Sequence, residues 1–484
     1  LLVNLPLDGQ DRPLPAVPQS LGVEEAIALA LEYSPTLRQT VNDRGPAAWG
    51  VRNAYASFLP AFTASGGVSY SGAGSQTFLT QEFVQPSSTI GSSYRLSLAW
   101  QLSGRTFSQP GLARAQLNAA DASASGARLN LRAEIMGQYL AVLQAQEQVA
   151  LAEVQVRRNE ENLRLARARY EVGQTTVLDV RRAEVERGVS QVALLQAQQS
   201  VTVEKLRLFQ QMGVAAPDDP AVVTLSDTFP IVEPRWTLQD LLASADAQNP
   251  DLNALRAQES AAKWGERAAK SAWLPTLSFS AGWSGFTQQF TDPSVLIKSA
   301  QARAATNERQ CVYTNAVLIN PGAPQIDCSL FAFTPEEEQA IRNQNSVFPF
   351  QFRNNPFSAG IFVSLPIFTQ FGRSLDVSQA AAQADDAREA VRARALQVRT
   401  GVSQAYYALL TAHETIRVRE TNRTAAQEAL RLATERYRVG SGTFFELLDA
   451  QLAAQQAEAD YISAVYDYHR AIASLEAAVG RPLR

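Results

Sequence analysis

Hydrophobic and polar residues change period several times along the chain, and the changes mark its elements. From Val23 the spacing is helical, with Glu24 and Glu25 suited to a first turn. The pattern breaks at Pro35 and resumes toward Leu59-Pro60. Phe62, Ala64, Gly66, Val68 and Tyr70 then alternate with Thr63, Ser65, Gly67 and Ser69, which predicts a strand near 61–70. After a Ser/Gly/Gln-rich loop, Tyr94, Leu96, Leu98, Trp100 and Leu102 alternate with Arg95, Ser97, Ala99 and Gln101, a second strand near 94–102. Each run is about nine residues, the length of a tilted strand that crosses a bilayer. The small polar second face suits a wet lumen.

Beyond Gly104-Arg105 and Pro110 the period is helical again. Ile135, Val142, Val149, Val156, Leu163 and Tyr170 stand seven apart, the spacing of helices packed along a seam. The companion positions Gln138, Ala145, Ala152, Asn159 and Ala166 are mostly small. A helix over about 111–169 would be roughly 90 Å long. A second runs over about 177–212 and stops at Met212-Gly213. Pro217, Pro220, Pro230 and Pro234 mark the connector 214–236 as an outer strap.

The pattern then restarts. Asn249-Pro250 and Leu274-Pro275 echo Ser34-Pro35 and Leu59-Pro60 at an offset of 215. Strands are expected near 276–285 (Leu277, Phe279, Ala281, Trp283) and 357–365 (Phe357, Ala359, Ile361, Val363, Leu365). Gly372-Arg373 follows Gly104-Arg105 by 268 positions, and the heptad returns as Val402, Leu409, Ile416, Arg423, Leu430 and Tyr437, with Arg423 as its one break. Pro60 to Gly104 is 44 positions and Pro275 to Gly372 is 97, so the second half carries 53 extra residues between its strands. The organisation expected is an extended arm at 1–20, a first repeat at 21–213, the connector, and a second repeat at 237–480 with an insertion at about 287–350.

Between the long helices of each half lies a stretch that repeats Arg-Tyr-x-Val-Gly. The first reads Arg169-Tyr-Glu-Val-Gly-Gln-Thr-Thr-Val-Leu-Asp179, the second Arg436-Tyr-Arg-Val-Gly-Ser-Gly-Thr-Phe-Phe-Glu446. Gly173 and Gly440 suit a left-handed helix end, and Thr175, Thr176 and Thr443 are placed to cap the next helix. Each unit is therefore a helix, a tight turn and a helix. Four strands cannot close a barrel, and open edges in hydrocarbon cost several kcal/mol per unpaired group. Membrane-spanning strands would then have to be shared among symmetry-related chains. The alternative is a soluble sheet packed on its own helices.

The tips and the duplicated layout resemble the TolC-type outer-membrane efflux protein family. The resemblance covers nearly the whole chain apart from the arm and the insertion. It implies a mainly α fold with membrane β: a duplicated helix–strand–strand–helix–turn–helix unit, whose coiled-coil hairpins form a tunnel. Four strands per chain would contribute to a shared trimeric 12-strand β-barrel. The implied role is a passive exit duct in the outer membrane, extending into the periplasm. It would be driven by an inner-membrane transporter through a periplasmic adaptor. Two rivals remain: a trimeric spacer or tether with a blocked lumen, and a soluble coiled-coil adaptor.

Composition narrows this picture. The net charge of −4 argues against a nucleic-acid partner. No run of eighteen apolar residues predicts a spanning helix, which leaves a β-barrel open. The start at Leu1 rather than Met leads us to expect a signal peptide already removed. Cys311 and Cys328, the two cysteines, both fall in the insertion. They would pair in an oxidising compartment, closing a loop of about 17 residues worth roughly 3 kcal/mol, or remain two free thiols.

For the pore, Asp179 and Glu446 each follow their tip glycine by six positions, and Asp449 lies one turn beyond Glu446 on the same face. On spacing alone these are first-turn acids favoured by the helix dipole. The resemblance gives all three to the pore mouth, where Glu446 and Asp449 of a trimer would form a ring of six carboxylates that attracts cations. It also gives adaptor docking to Val172, Gly173, Val439 and Gly440. Relatives can lock the mouth with a basic residue two positions after the second glycine. Here that position is Gly442, with Arg438, Arg181 and Arg182 nearby but offset. His413 and His469 lack ligand-spaced partners, and Gly440-x-Gly442 is no phosphate loop, so neither enzyme chemistry, cofactor nor metal is expected.

Overall fold

The computed structural model describes residues 17–78, 81–85, 87–225, 227–317 and 324–483, so most of the expected N-terminal arm lies outside it. In chain order the first half holds α1 (Val23–Tyr33), α2 (Pro35–Asn42), α3 (Arg44–Ala56), β1 (Ala61–Ser71), β2 (Gly74–Phe78), β3 (Gln81–Gln85), β4 (Thr89–Leu102), α4 (Gly104–Glu171) and α5 (Val177–Met212). The second half holds α6 (Leu238–Gln248), α7 (Pro250–Lys270), β5 (Thr276–Phe290), α8 (Ser294–Val317), α9 (Pro335–Asn345), β6 (Arg353–Asn354), β7 (Ser358–Ser364), α10 (Gly372–Arg438) and α11 (Phe444–Val479).

The duplication holds almost to the residue. α4 and α10 have 68 and 67 residues, and α5 and α11 have 36 each, about 54 Å of helix. Pro35 and Pro250 begin their helices at the first turn, where a missing N–H costs nothing. One boundary differs from expectation: α4 starts at Gly104 and runs through Pro110 instead of starting after it. Pro110 lies in the second turn, so one lost hydrogen bond is tolerated there.

The chain separates into two compact units that cut across the repeats. One is helical and takes in the described residues of 17–53, 108–269 and 374–483. The other is the sheet unit, 54–107 and 270–373. In the helical unit each half has its own core. Leu21, Ile27, Ile135, Tyr139, Leu208 and Met212 centre the first, and Leu241, Val402, Leu409, Tyr468 and Leu475 the second. The connector is tied to the N-terminal segment and to α5. Leu21 N donates to Thr224 O (3.0 Å), and the buried Lys205 ammonium donates to Pro220 O and Val223 O (3.1 and 2.7 Å). Burial pushes the Lys205 pKa down, and Asp219 opposes that. His469 is 1% exposed and packs between Phe229 and Tyr468, a packing role.

In the sheet unit the long strands are ordered β1-β4-β5-β7, all antiparallel, with β6 continuing the edge of β5 beyond β7. The alternation read from sequence stays in register across all four. Ala64 faces Leu96 and Leu96 faces Trp283; Trp100 faces Phe279 and Phe279 faces Ile361; Leu277 faces Val363. The opposite face joins Thr63 to Ser97 and Ser97 to Gly282, with Thr63 and Ser97 hydroxyls 2.6 Å apart. Phe362, opposite Ser278, is a large apolar residue on that polar face. β1 is exposed along its whole length, and β7 nearly so. Among the described residues β1 pairs only with β4, and β7 only with β5.

β4 and β5 extend beyond their predicted ends, to Thr89 and Phe290, so strand occupies the first residues of the region expected as insertion. Beyond these strand ends the described residues of the insertion include α8, and α9, whose start is a capping box between Thr334 and Glu337. Cys311 and Cys328 are disulfide-bonded.

Candidate functional site

The two hairpin tips carry the predicted site residues, and both lie in the helical unit. Local geometry first repeats. Gly173 and Gly440 have φ of +75° and +83°. Gly173 N donates to Tyr170 O (3.0 Å) and Gln174 N to Arg169 O (2.8 Å); Gly440 N donates to Tyr437 O (3.2 Å) and Ser441 N to Arg436 O (2.9 Å). Each pair of bonds satisfies carbonyls orphaned at the helix end, and only glycine takes that φ without strain. Val172 and Val439 stand beside these turns, 68% and 70% exposed.

The caps then diverge. At the second tip Thr443 Oγ1 accepts from Glu446 N (3.2 Å) and Glu446 Oε2 accepts from Thr443 N (3.4 Å), a reciprocal capping box. The same carboxylate oxygen is 3.5 Å from Arg436 Nη2. Thr176 occupies the cap position of α5 but its hydroxyl makes no cap bond. Thr175 does not cap either: it donates to the Asp179 carboxylate. Asp449 is exposed on the face of Glu446.

Packing separates the tips further. Tyr170 is 48% exposed, whereas Tyr437 is 2% exposed. Tyr437 packs with Phe444 and Leu447 against Leu163, Ala166, Val180 and Ala183 of the first hairpin. The Arg169 guanidinium sits 4.7 Å from the centre of the Tyr437 ring and donates to its carbonyl. Burial pushes the Tyr437 phenol above its ordinary pKa; the Arg169 charge lowers it and the Asp179 charge raises it. Thr175 lies near the phenol and donates to Asp179, and among the described residues the buried Tyr437 hydroxyl has no partner in hydrogen-bonding geometry.

Thus Asp179 and Tyr437, from different hairpins, share one cluster, while Glu446 serves its own helix start. Two of the three expected basic candidates are spent locally: Arg438 pairs with Glu435 (2.9 Å) and Arg181 with Glu184 (2.7 Å). The Arg167 and Arg181 guanidiniums hold the Glu184 carboxyl below its ordinary range. The cross-hairpin contact that the sequence reading missed is Arg169. Its only signal was that both tip stretches open Arg-Tyr.

Higher on the hairpins is a buried amide cluster, also missed. Gln451 Nε2 donates to Asn159 Oδ1 (2.5 Å), Asn162 Nδ2 to Gln451 Oε1 (2.7 Å) and Asn159 Nδ2 to Glu186 O (3.1 Å). Asn159 and Gln451 are each 3% exposed, and the cluster ties α4, α5 and α11 together. The heptad break at Arg423 is satisfied by the Tyr461 ring (3.9 Å) and Glu458 (3.5 Å). Among the described residues no group of three His, Cys, Asp or Glu could hold a metal ion, and no helix is long and apolar enough to cross a membrane.

Comparison with known proteins agrees with this layout. The chain is 26% identical over 335 residues to the outer membrane efflux protein BepC of Brucella suis biovar 1, covering 68% of this chain and 60% of that one. It is 24% identical over 463 residues to nodulation protein T of Rhizobium leguminosarum bv. trifolii, covering 95% and 84%. Its fold matches the CmeC outer membrane channel of Campylobacter jejuni with a TM-score of 0.70 at 16% identity, covering 95% and 85%. The profile described as "Outer membrane efflux protein" matches residues 26–214 and 323–481, which take in both helical hairpins and both tips. The chain therefore belongs to the outer membrane efflux protein family.

Proposed function

We propose that three copies of this chain form a passive exit duct of a tripartite efflux or secretion system. The observation that carries this reading is the sheet. Its four strands align one apolar face, and its outer edges on β1 and β7 are unpaired among the described residues. In hydrocarbon each unpaired backbone group costs several kcal/mol, so β1 of one copy pairs with β7 of the next until the ring closes. Three copies supply twelve strands, with the apolar face toward lipid and the Ser/Thr/Gly face toward water. The helical hairpins line the periplasmic conduit.

The tips are its inner mouth. Asp179, Glu446 and Asp449 line it, and the turns at Val172-Gly173 and Val439-Gly440 meet a periplasmic adaptor that connects to an inner-membrane transporter. The exposure of both valines supports that docking role. Two measurements test the assembly: mass in detergent and conductance in planar bilayers. The expected mass is three times the 52.6 kDa chain, with ion conductance. A trimer that never conducts would favour a blocked spacer. A monomer soluble without detergent would remove the barrel.

A further inference from the structure

The loop from β7 into α10 differs from its counterpart in the first copy. Val363 stands opposite Leu277 as Leu98 stands opposite Phe62. By that register Ile367 occupies the place of Leu102, 265 positions earlier, whereas Gly372 follows Gly104 by 268. The second copy therefore carries three additional residues, Thr369, Gln370 and Phe371, so that 50 of the 53 extra positions lie between the strands and three lie in this loop, where the sequence had placed all 53 between the strands. In the first copy Ser103 alone separates β4 from α4.

The additional residues form a shaped loop. Gln370 and Phe371 have φ of +51° and +64°, a conformation side-chain-bearing residues seldom adopt. Ile367, Phe368 and Phe371 are 90%, 72% and 76% exposed, and the two phenyl rings meet edge-on at 5.8 Å. Arg373 holds the loop from beneath and is 8% exposed. Its guanidinium donates to Pro366 O (2.5 Å), Ile367 O (3.3 Å), Thr369 Oγ1 (3.2 Å) and Ala272 O (3.5 Å), and lies 4.2 Å from the Trp273 ring. The first-copy equivalent, Arg105, is exposed. A solvated loop has no use for three large apolar tips, a left-handed Phe and a buried arginine to brace them.

We propose that Ile367, Phe368 and Phe371 form a foot that enters the headgroup–acyl boundary of the bilayer at the end of the sheet where the helices depart, with Arg373 as its positioning residue. This rests on the reading above, in which the apolar face of the sheet lies in lipid. Ile361 and Val363 lie on that face of β7, and Leu365 and Ile367 follow it in the chain at the same two-residue spacing. Aromatic rings beside Thr369 and Gln370 suit a layer that is apolar on one side and wet on the other.

The two native cysteines are bonded to each other, so an introduced cysteine is the single free thiol. Nitroxide labels on Phe368→Cys, Ile361→Cys and Ser441→Cys are compared in phosphatidylethanolamine/phosphatidylglycerol vesicles by collision with oxygen and with a water-soluble nickel chelate. The foot predicts an oxygen-to-nickel ratio at 368 several-fold above that at 441, approaching that at 361. Adding Arg373→Ala should return the 368 ratio toward the 441 value while the trimer mass is kept. A lipid-like 361 with a water-like 368 overturns the foot alone. A 368 label shielded from both reagents also overturns it, because a neighbouring copy then covers the loop. Water-like ratios at both 361 and 368 overturn the barrel reading and the foot with it.

Discussion

The two hairpin tips began as the same sequence and no longer have the same environment. Both end their first helix on a left-handed glycine, with the same pair of carbonyls satisfied. Yet Tyr437 is buried under Arg169 of the other hairpin, while Tyr170, its equivalent, is half exposed. Asp179 joins the Tyr437 cluster, while Glu446 caps its own helix. Duplication preserved what is local to the turn. The inequality comes from a side chain 268 positions away, Arg169, arriving at Tyr437. On the proposed reading, in which the tips form the mouth of a duct, truncating Tyr437 should open it and truncating Tyr170 should not.

The sharpest way to break this comparison is to truncate both tyrosines. Tyr437→Ala removes a buried ring and should cost about 3–5 kcal/mol locally, raising single-channel conductance in bilayers. Tyr170→Ala should cost well under ~1 kcal/mol and leave conductance near wild type. Equal effects would show that burial within one chain does not distinguish the tips. Next in size is Gln451→Leu, which strands the amides of Asn159 and Asn162 at about 1–3 kcal/mol per unpaired group. The thermal unfolding temperature should fall. An unchanged melting temperature would mean that the amide cluster does not hold the hairpins in register.

The smallest effect sharpens the contrast between the carboxylates. Glu446→Gln keeps a side chain able to complete the capping box, whereas Glu446→Ala loses it at roughly 1 kcal/mol. Combined with Asp449→Asn, the Gln variant should fold as wild type but show weaker block by divalent cations. If block persists with Gln yet the Ala variant melts earlier, Glu446 is a helix cap and not part of a cation ring.

Much was legible from sequence because it depends on near neighbours. The pleat forces period two, so Phe62, Leu96, Trp283 and Ile361 could be assigned to one face before any pairing was known. A left-handed turn needs glycine, so the tips were placed at Gly173 and Gly440. Duplicated spacing carried the long helices and the extra segment between the strands of the second half. Of the three threonines expected to cap, only Thr443 does so with its side chain; Thr176 sits at the cap position without a cap bond and Thr175 turns to Asp179.

What the residues fixed alone was therefore the periodic part of the molecule: strands with one apolar face, paired long helices, glycine-ended turns, and a sheet too narrow to close by itself. Tertiary structure decided which of two equivalent tyrosines is buried, that Arg169 crosses between hairpins, that Asn159 and Gln451 meet, and that Arg373 braces an apolar loop where Arg105 stays in solvent. The reason is physical. Backbone preference is set within a few residues of the chain, whereas burial is set by whichever distant side chain comes to cover a position, and nothing local encodes that arrival.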